Sequence, residues 1–191
     1  MLAAGLQLSK SGLFAHFKSK EALQLEVVEE AMARFAQTVV LPAIGAPRGE
    51  PRVRALFDGF LTWIDAGERR GGCFFMALAH EFDDRPGAVR DLLVRSQRDW
   101  RGAIGKAARL AQDEGHFAVD LDTEQFAYEM VGIGMAYQQA FKLLGDPKAR
   151  ARAQAAFEAL VERSHPPRRR TKALARTRER PRARASARGA R

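Results

Sequence analysis

Hydrogen-bond donors and cations crowd a short segment near the start of the chain. Ser9, Lys10 and Ser11 precede an apolar stretch, and Lys18 and Lys20 follow it. Side chains of these types bind phosphate groups and base edges, and the free backbone N–H groups at a helix N-terminus also bind anions. This chemistry is that of nucleic-acid recognition, and the segment contains no nucleophile with a base to activate it.

The segment also has the layout of a helix-turn-helix element, in which a short second helix enters the DNA major groove. Ala3-Ala4-Gly5 would end a first helix, Ser9 would cap the reading helix, and that helix would end at Phe17. A helical hairpin without a DNA role is the alternative. On the first interpretation the residues that contact DNA are Ser9, Lys10, Ser11, Gly12, Leu13, Phe14, His16, Lys18 and Lys20.

The run AGLQLSKSGLFAHFKSKEAL resembles the end of the DNA-binding domain of TetR-type (TetR/AcrR) transcriptional regulators, whose usual pattern is close to AGVSKGTLYHHFxSKEAL. The resemblance implies an all-helical protein that binds double-stranded DNA at a palindromic operator as a homodimer. It further implies a repressor that a small-molecule effector releases from the operator. Gly12 and Phe14 depart from the pattern, because Thr and Tyr are common there and their hydroxyls are absent here.

Members of that family carry a first helix and most of a second before this point. We therefore expect that the sequence begins inside the helix-turn-helix domain, as an N-terminally truncated form of it. Leu13, Phe14 and Phe17 would otherwise lack a partner helix to pack against. The alternative function is a ligand-binding helical dimer that cannot read DNA because its first helices are missing.

The rest of the chain predicts one helix after another, and hence an all-α fold. Ser19 and Asp122 are predicted helix N-caps, Pro86 is expected in the first turn of a long helix, and Gly115 should end that helix. The apolar run CFFMALAHEF predicts a helix buried on most sides. We divide the chain into a partial DNA-binding domain with a linking helix (1–44), a ligand-binding and dimerisation domain (45–164) and a basic tail (165–191).

Large side chains on separate helices of the second domain are candidates for an effector pocket. They would combine apolar walls with a few polar groups, as small-molecule sites do. Ordinary core packing is the alternative for each of them. The candidates are Trp63, Phe75, His80, Trp100 and Tyr128.

The resemblance implies that the last two long helices form the dimer interface. Two glycines in the run GIGMAYQQAF favour a close approach of helices there, although packing within one chain would explain them as well. The predicted interface residues are Met130, Gly134, Tyr137, Phe157 and Leu160.

The run HEFDD, from His80 to Asp84, gathers one imidazole and three carboxylates. No second cluster of His or Cys supports a metal site, and an enzyme would need a set of nucleophile, base and orienting group. We therefore predict no metal, no cofactor and no enzymatic activity.

The basic character of the chain lies at its end. Residues 165–191 hold 11 of the 32 Lys and Arg residues and one of the 23 acidic ones, so their net charge is +10. Residues 1–164 have a net charge of −1, which gives +9 for the whole chain. This tail is predicted to be disordered and to attract nucleic acid without sequence preference. A single cysteine and the lack of a signal peptide or long apolar run predict a cytoplasmic protein without a membrane span.

Overall fold

The computed structural model describes residues 19–66 and 73–167, in which helices are connected by short turns and no strand occurs. The all-α class predicted from the sequence is confirmed. The α-helices are α1 (Lys20–Phe35), α2 (Leu41–Gly45), α3 (Glu50–Ala66), α4 (Phe74–Phe82), α5 (Ala88–Asp113), α6 (Thr123–Gln138) and α7 (Ala149–Ser164). The predicted reading helix and almost all of the basic tail lie outside the described residues.

Several helix ends form as their sequences predict. The Ser19 hydroxyl accepts a hydrogen bond of 3.0 Å from the backbone N–H of Ala22, and the Asp122 carboxylate accepts from Glu124 and Gln125. These bonds satisfy N–H groups that a helix start leaves unpaired. Gly115 follows α5 with φ of 73°, a left-handed conformation that glycine adopts without strain.

Other boundaries differ from the predictions. Gly87 precedes α5, so Pro86 lies just outside the helix and not in its first turn. Two π-helical segments interrupt regular geometry, Ala36–Val40 between α1 and α2 and Gln139–Leu143 after α6. The first of them presses Val39 against α3, where a side-chain carbon on Gly59 would stand 3.3 Å from it.

Helix α4 was predicted to be buried on most sides, and this prediction is wrong. Only Phe75 and Phe82 are fully buried, whereas Ala79 and His80 are exposed. The helix packs chiefly against α5 at the edge of the bundle, so one neighbour covers only one of its faces. Its second apolar face is therefore free to border a cavity.

The most densely packed part of the bundle lies where α3, α6 and α7 meet the loop after α5. The Phe57 and Phe157 rings stack 3.9 Å apart at an interplanar angle of 7°, and the Phe117 and Phe126 rings lie 5.3 Å apart. All four side chains are at most 2% exposed. We refer to these four phenylalanines as the closed core.

A charged network covers the closed core on its solvent side. The Arg54 guanidinium donates to Glu50 at 2.7 Å and to Glu158 at 2.5 Å, so it links α3 to α7. Burial by itself would raise the pKa of Glu50, but hydrogen bonds from His165 and Arg54 outweigh it and hold this pKa below its usual value. The bond from Arg54 likewise lowers the pKa of Glu158.

Within residues 19–66 and 73–167, no helix is both long and apolar enough to cross a membrane.

Candidate functional site

A cavity of about 250 Å³ lies between α4, α5 and α6 and reaches the ends of α1 and α3. Aromatic rings form most of its walls: Phe35 from α1, Phe60 from α3, Phe75 from α4 and Trp100 from α5. Met76, Val131 and Met135 complete the apolar lining. We call this cavity the chamber.

Phe35 is the central ring of the chamber wall. It meets Trp100 edge-to-face at a centroid distance of 5.0 Å, Phe75 at 5.8 Å and Phe60 at 6.5 Å. Edge-to-face pairs are the favoured geometry for aromatic rings, and each fixes the orientation of both partners. The end of α1 is therefore held by three walls of the chamber at once.

The polar groups of the chamber are few. Ser96 is buried, and its hydroxyl donates to the Leu93 carbonyl at 2.8 Å, so it is already paired. Trp100 is 7% exposed, and its buried indole N–H has no hydrogen-bond partner among the described residues. His80, Gln97 and Arg101 line the open side. Such a lining suits an apolar ligand that carries a polar group at one end.

Cys73 lies beside the chamber in a buried position. Its side chain is 2% exposed, and its backbone N–H donates to the Gln138 side chain at 2.7 Å. Burial raises the pKa of its thiol. The thiol therefore stays protonated at neutral pH and acts as a small apolar group.

The predicted pocket residues divide into three groups. Phe75, His80 and Trp100 line the chamber. Trp63 lies behind the lining, with its ring 6.2 Å from Phe75 and nearly parallel to it. Tyr128 is 60% exposed outside the chamber, against the Arg101 guanidinium.

Sequence reasoning missed Phe35 and Phe60 as lining residues. Both lie on the apolar stripes of their helices, where periodicity alone cannot separate a core position from a cavity wall. Arg101 was missed as well, because an exposed arginine beside a buried residue is normal on an amphipathic helix.

Of the predicted DNA-binding residues, only Lys20 lies in the described ranges. It is the first residue of α1, directly after the Ser19 cap, and its side chain is exposed. An exposed lysine at a helix N-terminus has the chemistry of a phosphate contact. The other eight lie outside the described residues: Ser9, Lys10, Ser11, Gly12, Leu13, Phe14, His16 and Lys18.

The predicted dimer residues face the interior of their own chain. All five positions are buried by the chain's own packing: Met130, Gly134, Tyr137, Phe157 and Leu160. A side-chain carbon on Gly134 would overlap the Phe60 ring, and the Tyr137 hydroxyl donates to Asp65. These residues therefore hold α6 and α7 against the rest of the chain and have little surface left for a second one.

The outward surface of α6 and α7 is a different set of residues. A shallow groove of small side chains runs between the two helices and includes Gly132, Ile133, Ala136, Ala156 and Ala159. Glu129 and Arg163 form an ion pair across it. The two helices thus present a shallow groove to the outside, which includes Gly132, one of the two glycines noted in the sequence.

The acidic cluster around His80 forms no metal site in the described ranges. No group of three or more His, Cys, Asp or Glu side chains converges there in a way that could hold a metal ion. Asp83 instead accepts a hydrogen bond from the backbone N–H of Asp84, and Glu81 pairs with Arg85.

Comparison with known families and structures gives a consistent result. The model of the tetracyclin repressor-like C-terminal domain matches residues 49–157, which is more than half of the chain. No curated protein sequence matches.

Solved structures of TetR regulators share the fold. A TetR transcriptional regulator from Chloroflexus aurantiacus J-10-FL is similar with a TM-score of 0.73 at 21% identity, over 84% of this chain and 79% of that one. A TetR-family regulator from Streptomyces coelicolor gives 0.72 at 18% identity, over 86% and 82%. AibR, in complex with isovaleryl coenzyme A and operator DNA, gives 0.64 at 20% identity, over 86% and 85%.

Proposed function

This chain belongs to the TetR family of transcriptional regulators, and we propose that it binds operator DNA and releases it when a small molecule occupies the chamber. In this proposal it is a repressor, it acts as a homodimer, and its operator is palindromic. The segment Ser9–Lys20 supplies the DNA contacts, and the chamber supplies the effector site.

The observation that carries this proposal is the position of α1. Its last residue, Phe35, is the central ring of the chamber wall, and its first, Lys20, directly follows the segment with DNA-reading chemistry. A helix of 16 residues spans about 24 Å, so one rigid element joins the two sites. A displacement of Phe35 by a ligand would therefore move the DNA-proximal end of α1.

The position of Glu21 supports the same coupling. The Glu21 carboxylate, in the first turn of α1, lies near Gly87, since a side-chain carbon added there would stand 3.8 Å from its Oε1. Gly87 is the N-cap of α5, and α5 carries Trp100 and Arg101 of the chamber. Both ends of α1 thus lie next to elements that border the ligand site.

The energetics follow from differential binding. Two reading helices of a dimer must lie about one DNA turn apart to enter successive major grooves of a palindrome. A ligand that binds more tightly to a state with another spacing lowers DNA affinity by the ratio of its two affinities. AibR, bound to isovaleryl coenzyme A and operator DNA, is a protein of the same fold that binds both kinds of partner.

The dimer surface in this proposal is the outer groove of α6 and α7. Its glycine and alanines allow two helix pairs to approach closely, and Glu129, Arg152 and Arg163 supply charge at its sides. Measurement of the molecular mass in solution, for the chain itself and for Ala156→Arg, checks this part. The expected result is a dimer that the arginine, with its bulk and charge, converts to a monomer. A monomeric parent chain contradicts it.

The regulatory proposal is tested by selecting tight-binding fragments from a random DNA library and measuring their affinity by gel shift. We expect selective binding to a palindromic sequence, because two symmetric reading helices favour such a site. Lys20→Gln should weaken binding to the selected DNA and make that affinity less dependent on salt, since one phosphate contact is lost. Lys148→Gln is the matched control, because Lys148 is an exposed lysine outside the DNA-proximal end.

A chain that selects no sequence contradicts DNA reading by this form. If it remains a dimer that binds small molecules in the chamber, the result favours the second candidate, a ligand-binding helical dimer without DNA recognition. If Lys20→Gln and Lys148→Gln lower the DNA affinity equally, the chain is attracted to DNA through its overall charge and not through a contact of Lys20.

A further inference from the structure

A second depression opens directly beside the chamber. This groove has a volume of about 320 Å³ and lies between α4 and α5. It shares Ala79, Gln97 and Arg101 with the chamber, so the two spaces are continuous at these residues. A ligand longer than the chamber would extend into the groove.

The groove differs from the chamber in charge. Arg90, Arg98 and Arg101 line it, against one acidic residue, Asp83. Arg90, Val94, Gln97 and Arg101 follow one another at helical spacings of four, three and four, so they share one face of α5. We call this depression the arginine groove.

Two of these arginines have no acidic partner. Neither Arg98 nor Arg101 forms an ion pair with any residue of the described ranges. The Arg101 guanidinium lies 5.8 Å from the Tyr128 ring, and Arg90 donates to the Asp83 backbone carbonyl at 3.0 Å. Among the described residues that line the groove, Asp83 alone is acidic, so the net charge of this lining is positive.

The chamber supplies the apolar half of such a site. Its walls are mainly aromatic rings and methionines, and no acidic group of the described residues lines it. A bound cation would therefore meet ring faces there but no carboxylate within residues 19–66 and 73–167.

We propose that the chamber and the arginine groove form one composite site for an amphipathic anion. Its alkyl, acyl or aromatic part occupies the chamber, and its carboxylate or phosphate binds Arg98 and Arg101. This inference rests on the proposed function, because it names the chemical class of the effector. The chemistry that selects the ligand is the union of an aromatic cavity with unpaired guanidinium groups, which bind oxyanions through paired N–H donors.

A matched set of eight-carbon probes tests the proposal by calorimetric titration of the intact chain: octanoate, octyl phosphate, octanol and the octylammonium ion. We expect both anions to bind at least about tenfold more tightly than octanol, since hydrogen bonds to charged groups are worth that factor or more. Octylammonium should bind more weakly than octanol. The affinities of octanoate and octyl phosphate identify the preferred head group. Added salt should reduce the difference in affinity between the two anions and octanol, because it screens the charges.

Three variants locate the two halves of the site. Arg98→Gln and Arg101→Gln should each weaken octanoate about tenfold and leave octanol unchanged. Arg95→Gln is the matched control, an exposed arginine of the same helix that does not line the groove. Ala79→Phe fills the junction from an exposed position and should abolish binding of every probe.

Equal affinities for octanoate and octanol, or equal effects of all three arginine variants, overturn the anionic assignment and leave the chamber as a site for neutral ligands. No binding by any probe overturns the composite site altogether. Neither result bears on DNA recognition, because the proposed function fails on its own measurement, the absence of sequence-selective DNA binding.

Discussion

The chamber and the closed core are built from the same kinds of residue and differ in what lies between them. Phe57 and Phe157 stack with ring centroids 3.9 Å apart, whereas Phe35, Phe60 and Trp100 line a cavity of about 250 Å³. The difference comes from their helices. Long neighbours cover the closed core, while α4, with nine residues at the bundle edge, covers the chamber incompletely.

Residue type alone therefore does not tell whether an aromatic side chain of a helical bundle fills the core or lines a ligand cavity. A ring in the closed core is surrounded by neighbours, and a ring in the chamber wall also borders the cavity, where it has no neighbour. Because dispersion and burial scale with those contacts, the two regions should respond differently to the same substitution.

Phe157→Ala should have the largest effect on stability. It removes the stacked partner of Phe57 from a site that cannot collapse, and we expect a loss of about 3–5 kcal/mol in the free energy of unfolding. Urea denaturation at matched protein concentration measures it. Phe75→Ala in the chamber wall should cost less, because one side of that ring already borders empty space. An equal cost for the two variants would remove the distinction between the regions.

Gly134→Ala should cause the second-largest loss of stability. Its new methyl group overlaps the Phe60 ring and must push it toward the chamber, at a cost of about 1–3 kcal/mol. Gly102→Ala is the control, since nothing lies within 4 Å of that position, and it should instead stabilise α5 by roughly 0.5–1 kcal/mol. If both variants shift the urea midpoint in the same direction, Gly134 is not a packing requirement.

Tyr137→Phe tests a polar contact between α6 and α3 beside the chamber. The hydroxyl donates to Asp65, which also pairs with Arg150, so its removal should cost about 0.5–1.5 kcal/mol. Burial, followed by the hydrogen bond to Asp65, raises the pKa of Tyr137 from 10.0 to about 12.

The sign of the alkaline effect follows from that shift. Between pH 10 and about 12 the unfolded tyrosine releases its proton first, so stability falls over that range in the parent chain. The phenylalanine variant should lack this part of the decline. Identical alkaline unfolding curves, corrected for their offset, would contradict the assignment.

The smallest loss of stability is expected from a substitution in the charged network of Arg54, Glu50 and Glu158 over the closed core. Glu50 and Glu158 have pKa values below their usual 4.5, so the stability they contribute is present at neutral pH and is lost as pH falls through their folded-state values. Glu158→Gln should cost about 0–1 kcal/mol at neutral pH, since this pair is exposed, and should flatten the acid limb of the stability curve. Gln154→Glu, an added acid elsewhere on the exposed side of α7, is the control for overall charge.

Much of the fold could be read from the sequence because its signals are local. Ser19, Asp122 and Gly115 act at helix ends through their own side chain or backbone conformation, and each acts where it was predicted. The π-helical segments were missed, because they depend on packing such as that of Val39 against Gly59, which sequence periodicity does not contain.

The site was predicted less completely. Phe75, His80 and Trp100 line the chamber, but Tyr128 lies outside it, and Phe35 was not among the predicted lining residues. For the last two helices, the residues chosen as dimer contacts are buried within the chain. A helical stripe tells which residues face inward, and it does not tell whether that interior is filled, empty or shared with a second chain.

The sequence by itself therefore determined the helical class, most helix ends, the resemblance to TetR regulators and the uneven charge between body and tail. Each of these depends on residues close together along the chain. Only the tertiary structure decided that α4 lies at an edge and that Phe35 joins a cavity wall to the linking helix. It also placed Arg98 and Arg101, which form no ion pair within the described ranges, in the groove that adjoins this cavity. These depend on distances between helices far apart in sequence, which packing sets and local chemistry does not.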